Sequence, residues 1–169
     1  MSVEPGNRYL RDKPALKRGP NGERLCRWCG GAVTGRRQSW CGQACVEDYL
    51  TRRSSAGARG ALAKRDRGVC AICGVDTRAL KEMAMEFDPP TRQERLVALG
   101  YDLCRAHLWD ADHVVPVHRG GGGCGIDNLR TLCQPCHKDV TREQARVRAE
   151  ARRAGAAGPV LPFETAGGV

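Results

Sequence analysis

Apolar positions in this chain come in short, separated bursts. Val114-Val115-Pro116-Val117 is one run, Leu129 to Leu132 is another, and the glycine loop Gly120 to Gly123 lies between them. Two short apolar runs joined by a Gly-rich loop predict a hairpin with an irregular turn. Cys133-Gln134-Pro135-Cys136-His137 follows directly. Pro135 favours a helix starting there, because a first-turn proline lacks an N–H that would be unpaired anyway. The predicted order from Trp109 to His137 is therefore strand, loop, strand, helix. Upstream, Leu80, Met83, Ala84 and Phe87 recur at the spacing of a helical stripe. Pro89-Pro90 ends that helix. Thr91-x-x-Glu94 reads as a capping box opening a second helix, which closes before Gly100. Residues 54–66, SSAGARGALAKRD, read as a small-residue linker with partial helical character. After His137 a polar helix continues through Lys138, Arg142, Arg146 and Arg152-Arg153.

Cysteine adds what the sparse apolar pattern lacks. The chain of 169 residues has 5% aromatics, 21 glycines and 10 cysteines, so a large oily core is not expected and metal is the expected staple. Cys26-x-x-Cys29-Gly30 has the form of a zinc knuckle, a tight turn that aims two thiolates at one point. Cys41 and Cys45 follow at i, i+4 on one face of a helix start. Four thiolates complete the closed tetrahedral shell of structural Zn²⁺. Cys70-x-x-Cys73-Gly74 repeats the knuckle, with Cys133 and Cys136 as its partners. Both halves share an outline: knuckle, hairpin, cysteine pair at a helix start. Spacing alone leaves the pairing open, although the short Cys26–Cys45 interval favours local closure. Cys104 and Cys124 fall outside these sets and are expected as plain buried thiols.

The formal net charge of +9 suits a polyanionic partner, nucleic acid first. Arg36 and Arg37, with Trp40 beside them, are candidate nucleic-acid contacts, as are Arg142 and Arg146, which share a helix face. The alternative for Trp40 is packing on the zinc core. Residues 1–21 read as a basic disordered tail carrying Arg8, Arg11, Lys13, Lys17 and Arg18, and 154–169 as a disordered Gly/Ala/Pro-rich tail. No apolar run is long enough to span a membrane and no secretory h-region is visible, so no membrane partner is expected and the expected location is intracellular. There, paired cysteines stay reduced and act as metal ligands.

Asp112-His113, Asn128 and His137, with Pro116 and the glycine loop between them, resemble the HNH endonucleases, whose core is the ββα-metal fold. The similarity extends to the HNH region of zinc-finger annealing helicases through LCRWCG, RRQSWCGQACVEDYL, RGVCAICGVD, LWDADHVVPV, DNLRTLCQPCHK and TREQA. The resemblance implies an α+β fold: a treble-clef ββα-metal core with a zinc finger of similar type in front. The implied organisation is a four-cysteine finger over 22–53, a linker over 54–66, and a nuclease domain over 67–153 with a helical insertion at 75–108. His113 is then the general base. Asp112 and His137 hold a catalytic divalent ion, Mg²⁺ or Mn²⁺, and Asn128 braces the loop and orients the base.

The chemistry agrees with those roles. A neutral imidazole takes a proton from water near pH 7, and a divalent ion acts as Lewis acid on the phosphate. One geometric condition is visible in advance. Neighbours in a regular strand point to opposite faces, so Asp112 and His113 share a site only near a strand edge or where the strand is irregular. The expected activity is hydrolysis of DNA phosphodiesters, duplex, branched or nicked. The alternatives are a non-catalytic zinc module that binds DNA, and a restriction- or phage-type HNH nuclease. An RNA-directed nuclease also stays open. His118 and His107 are expected outside the catalytic set.

Overall fold

Two knuckles of matching geometry open the two halves of the chain. The computed structural model describes residues 14–155; Arg8, Arg11, Lys13 and the segment after Gly155 lie outside the described residues. In the first knuckle the Cys26 N–H donates to the Gly31 carbonyl (2.7 Å) and the Gly30 N–H to the Cys26 carbonyl (3.0 Å). In the second, the Cys70 N–H donates to Val75 (2.9 Å) and the Gly74 N–H to Cys70 (3.0 Å). Gly30 and Gly74 have φ of 76° and 73°, in the left-handed region where glycine carries no Cβ penalty.

The surroundings of the knuckles differ. Strands β1 (Lys17–Arg18) and β2 (Arg24–Leu25) pair ahead of the first knuckle, so part of the expected N-terminal tail is a strand. The shared outline predicts a hairpin between that knuckle and Cys41, but residues 33–42 run through turns and bends instead. Helix α1 (Gln43–Arg53) follows, and its buried Tyr49 meets the rings of Trp28 (5.6 Å) and Trp40 (5.1 Å). Trp40 thus packs on the finger.

The expected linker is a packed helix, α2 (Ser55–Asp66). Ser54, extended at φ −142°, caps it by accepting a hydrogen bond from the Gly57 N–H (2.8 Å). A Cβ on Gly57 would come within 2.3 Å of the Leu50 carbonyl oxygen, so α1 and α2 cross too closely for any larger residue there. The small residues that suggest a linker are what permit this crossing. Ala58 and Leu62 are buried against Trp109 and Leu129. At its C-terminal end Arg65 donates to the Ile126 (2.8 Å) and Leu129 (2.7 Å) carbonyls, and Asp66 accepts from the Thr131 hydroxyl (2.8 Å).

The insertion holds helices α3 (Thr77–Ala84) and α4 (Pro89–Ala98). Asp88 caps α4, accepting from the Thr91 N–H (3.1 Å), so Thr91 is inside the helix and not its cap. Pro89-Pro90 opens α4, where a missing N–H costs nothing. Phe87 falls beyond α3 with the Arg95 guanidinium 4.1 Å from its ring, and Met83 is exposed. Ala84, Leu96, Tyr101, Leu108 and Leu132 form a core with Cys70 and Cys133.

Strands β3 (Trp109–His113) and β4 (Leu129–Cys133) pair antiparallel, from Trp109 opposite Cys133 to His113 opposite Leu129. The first strand is the charged WDADH stretch and not the apolar Val114–Val117 run, whose three valines are exposed. Apolar density misplaces it because Asp110 and Asp112 occupy one face of the strand and leave it no apolar run. Val117–Arg119 and Ile126–Asn128 are short 3₁₀ turns flanking the glycine loop. Helix α5 (Gln134–Arg153) leaves β4 directly. Its buried Gln134 accepts from the Asp102 N–H (2.6 Å) and donates to the Asp102 (3.2 Å) and His107 (2.9 Å) carbonyls, pinning the insertion to the helix start. Helix α2 thus covers one face of the hairpin while α5 contacts the hairpin as well. Among the described residues no helix is long and apolar enough to cross a membrane.

Candidate metal centres and catalytic site

The sulfurs of Cys26, Cys29, Cys41 and Cys45 all lie within 4.8 Å of one another, and so do those of Cys70, Cys73, Cys133 and Cys136. The pairing that spacing leaves open is therefore local for the first knuckle. Cys29–Cys41, Cys41–Cys45 and Cys73–Cys133 are 3.5, 3.4 and 3.7 Å apart. A tetrahedral ZnS₄ centre with bonds of ~2.3 Å has S···S edges of ~3.8 Å, so the sets fit zinc in donor type and in size. Their protonation agrees. Burial raises the Cys26 thiol, but the backbone N–H groups of Cys41, Cys29 and Trp28 bring it down to about 6. Cys70, under the same opposition with Cys73, Cys133 and Ile72, also falls to about 6. Cys45 is pushed up to about 12 by the Cys41 thiol and by burial, and Cys136 is pushed up by burial and by Cys133. A first thiolate forms easily in each set, whereas Cys41 and Cys45 in one and Cys133 and Cys136 in the other resist ionisation without a cation among them. Each set could hold one structural zinc.

On the hairpin, strand alternation sorts the candidate residues. Asp110 and Asp112 share one face of β3; Trp109, Ala111 and His113 share the other. The strand is regular through His113, so the opposite-face condition applies. Asp112, buried, accepts from its cross-strand partner Arg130 through Nε (2.9 Å) and Nη2 (2.8 Å). His137, in the first turn of α5, meets Asp110: its Nδ1 is 3.2 Å from Asp110 Oδ2. Asp110 also touches Arg105 (2.5 Å) and Arg59 (3.5 Å). Asp110, Asp112 and His137 do not close into a metal-sized cluster as the cysteines do. Asp110 is absent from the sequence-based set, yet the i, i+2 spacing of the two acids in WDADH already places it beside Asp112.

Asn128 is a brace. Its Oδ1 accepts from the Val115 N–H (2.8 Å), and its Nδ2 donates to the Val115 (3.1 Å) and Gly121 (3.0 Å) carbonyls. The Val114 N–H donates to the Asn128 carbonyl (2.9 Å). These bonds fold the segment after His113 back onto itself. Gly121 is required there: a Cβ would sit 1.7 Å from the Val115 carbonyl oxygen.

His113 faces a cleft of about 400 Å³ between the hairpin and the elbow of α1 and α2. Ala111 and Leu129 line it from the hairpin, and Arg53, Ser55 and Arg59 from the elbow. Neither Asp112 nor His137 lines it. Cys124 is buried at its wall, whereas Cys104, expected to be buried, is exposed. His118 lies in the 3₁₀ turn after Pro116 and is exposed, and exposed His107 stacks on Trp109 at 5.5 Å. The four arginines assigned to nucleic acid have unequal freedom. Arg142 pairs with Asp139 (2.9 Å), and Arg146 with Glu143 (2.6 Å) and Glu150 (2.7 Å). Arg37 donates to the Cys41 carbonyl (2.8 Å), while Arg36 is exposed with no hydrogen bond or ion pair among the described residues.

A cysteine-bound hairpin and helix carrying Asp-His, Asn and His defines a class. The HNH endonuclease family model matches residues 102–143, and the chain belongs to that family. Among individual proteins, it is 32% identical over 143 residues to the DNA annealing helicase and endonuclease ZRANB3 of Mus musculus, an alignment covering 74% of this chain and 13% of that protein. It is 30% identical over 128 residues to the Homo sapiens protein of that name, covering 68% and 12%. The crystal structure of the human ZRANB3 HNH domain aligns at 31% identity and a TM-score of 0.48, covering 62% of this chain and 98% of that one. The match thus spans about an eighth of the length of these relatives.

Proposed function

We propose that this chain is a divalent-metal-dependent endonuclease that hydrolyses DNA phosphodiesters, with residues 67–153 as the nuclease module and 22–53 as a fused zinc finger. The observation that carries the reading is the hairpin itself: His113 opens onto a basic cleft while Asn128 holds the adjoining loop by three side-chain hydrogen bonds. In hydrolysis a water oxygen bonds to phosphorus as the bond to the leaving sugar oxygen breaks. His113 takes the proton from that water. Asn128 fixes the loop that orients His113. Asp112 and His137, with Asp110 in contact with His137 as a further donor, would hold the catalytic divalent ion only once the hairpin and the start of α5 draw these donors together. Carboxylate and imidazole donors suit Mg²⁺ or, better, Mn²⁺. When bound, the ion supplies Lewis-acid polarisation of the phosphate and charge stabilisation of the leaving oxygen. Asp112 exchanges its Arg130 contact for this role. An intracellular compartment, where thiols stay reduced, is the location this reading takes for the protein.

The names of the relatives supply DNA and endonuclease; the helicase activity in those names is not carried over, since so little of their length is matched. The test is cleavage of supercoiled plasmid and of fork, flap and single-stranded oligonucleotides with Mg²⁺ or Mn²⁺, and with EDTA. Wild type should nick DNA only with metal. His113→Ala should lower the rate by ~10²–10⁴-fold, the usual worth of a general base, with zinc content and DNA binding unchanged. One observation favours a second reading, a DNA-binding module without catalysis: Arg130 occupies Asp112, and His113 points away from it. Tight DNA binding with no cleavage under any metal would select that reading.

A further inference from the structure

We propose that the elbow joining α1 to α2 is the grip on the substrate backbone, with Arg53 and Arg59 contacting phosphates of the strand that passes His113. The inference rests on the nuclease reading above and assigns it a binding surface. The cleft before His113 has one wall from the hairpin and one from the elbow. Its elbow wall is strongly cationic. Arg53 is exposed and its side chain has no hydrogen bond or ion pair among the described residues. The Arg59 side chain is 46% exposed and its one ionic contact, to Asp110 Oδ1, is a loose 3.5 Å. Arg52 differs: it is bound to Asp48 (2.8 Å) and lies 6.0 Å from the Trp28 ring. The opposite rim includes Gly122 and Gly123, where no side chain stands between backbone and ligand.

Charge that is already matched gains little from a phosphate, because its neutralisation releases fewer counterions from the polyanion. Arg142 and Arg146 on α5 are matched by three acids; Arg53 and Arg59 are unmatched or loosely matched. The strongest unshared positive charge beside the proposed base therefore comes from the elbow and not from the catalytic helix. Arg59 also touches Asp110, which touches His137, so the grip is connected to the proposed metal side of the hairpin. It follows that the first zinc module serves the nuclease site directly. Its helix α1 ends in Arg53, and the Ser54 cap and the close Gly57 crossing hold Arg53 and Arg59 at the cleft.

The test uses the full chain in a His113→Ala background, so that probe DNA stays intact. Affinity for a labelled duplex and a flap oligonucleotide is measured by anisotropy between about 50 and 200 mM salt. Each variant is checked for two zinc ions and an unchanged melting temperature. Arg53→Gln and Arg59→Gln together should flatten the log–log salt slope by ~1.8, so that the wild-type advantage shrinks roughly tenfold across that range. Arg53→Lys with Arg59→Lys should restore the slope, and Arg142→Gln with Arg146→Gln should change it less than the elbow pair. The inference is overturned if the elbow pair, folded and zinc-loaded, keeps the wild-type slope, or if the α5 pair accounts for the greater loss. The nuclease reading fails separately, if a chain with an intact His113 binds DNA and never cuts it.

Discussion

At the scale of single residues, the side chain with the clearest structural task is Asn128. It satisfies both polar groups of Val115 and the carbonyl of Gly121. Asn128→Ala leaves those groups to find water or go unpaired, at about 1–3 kcal/mol for each one that stays buried. Cleavage should fall while the metal dependence keeps its shape, because no proposed ligand is touched. Gly121→Ala attacks the same loop from the other side, since its Cβ overlaps the Val115 carbonyl. It should reproduce the Asn128→Ala defect, with both zinc ions retained; amide exchange at Val115 reports the loosening in either variant. His137→Ala should raise the divalent-ion concentration needed for half-maximal cleavage, more for Mn²⁺ than for Mg²⁺, because an imidazole favours the softer ion. Asp110→Asn should share part of that defect through its contact with His137.

At the scale of elements, helix α2 decides whether the hairpin has a second face. Leu62 is fully buried against the hairpin, so Leu62→Ala should lower stability by about 2–5 kcal/mol. Chemical denaturation monitored by Trp fluorescence measures this. Gly57→Ala should force α1 and α2 apart and reduce cleavage before it reduces the zinc content. This helix is also where sequence reasoning falls short. Ser, Gly and Ala suggest a linker by composition, yet here small size serves close helix crossing, which only a partner surface reveals. The thiolate sets are legible because knuckle turns are local and use glycine at a left-handed position. Strand β3 is misplaced toward Val114–Val117 because an edge pair with acids on one face and Trp109 on the other has no apolar run to detect. Asp88 escapes notice as a cap because two prolines look like a stop, when at the first helical positions they are a start.

For the molecule as a whole, stability is expected to depend on metal, because two cysteine tetrads are placed to hold it. The largest fully buried side chains are few, and Cys26 and Cys133 are among them. Purified under reducing conditions, the protein should contain two zinc ions per chain by elemental analysis; one or none would refute the double-site assignment. Removing zinc with a strong chelator should unfold both modules, since binding energy in such sites is folding energy. The far-UV circular dichroism of the helices should then collapse together with the Trp28–Tyr49 and Trp40–Tyr49 contacts.

The wide separation of the second thiolate set has a consequence in time. Cys29 and Cys41 are 12 positions apart, but Cys73 and Cys133 are 60. On a ribosome adding ~5–20 residues per second, Cys136 emerges roughly 5–20 s after Cys45. During that interval all four finger cysteines are available for zinc, whereas Cys70 and Cys73, once made, wait as a bare dithiol for strands still to come. A cell short of zinc would therefore accumulate chains with a finished finger and an unformed hairpin. Such chains would lack the hairpin that carries Asp112 and His113 until the last ligand is supplied.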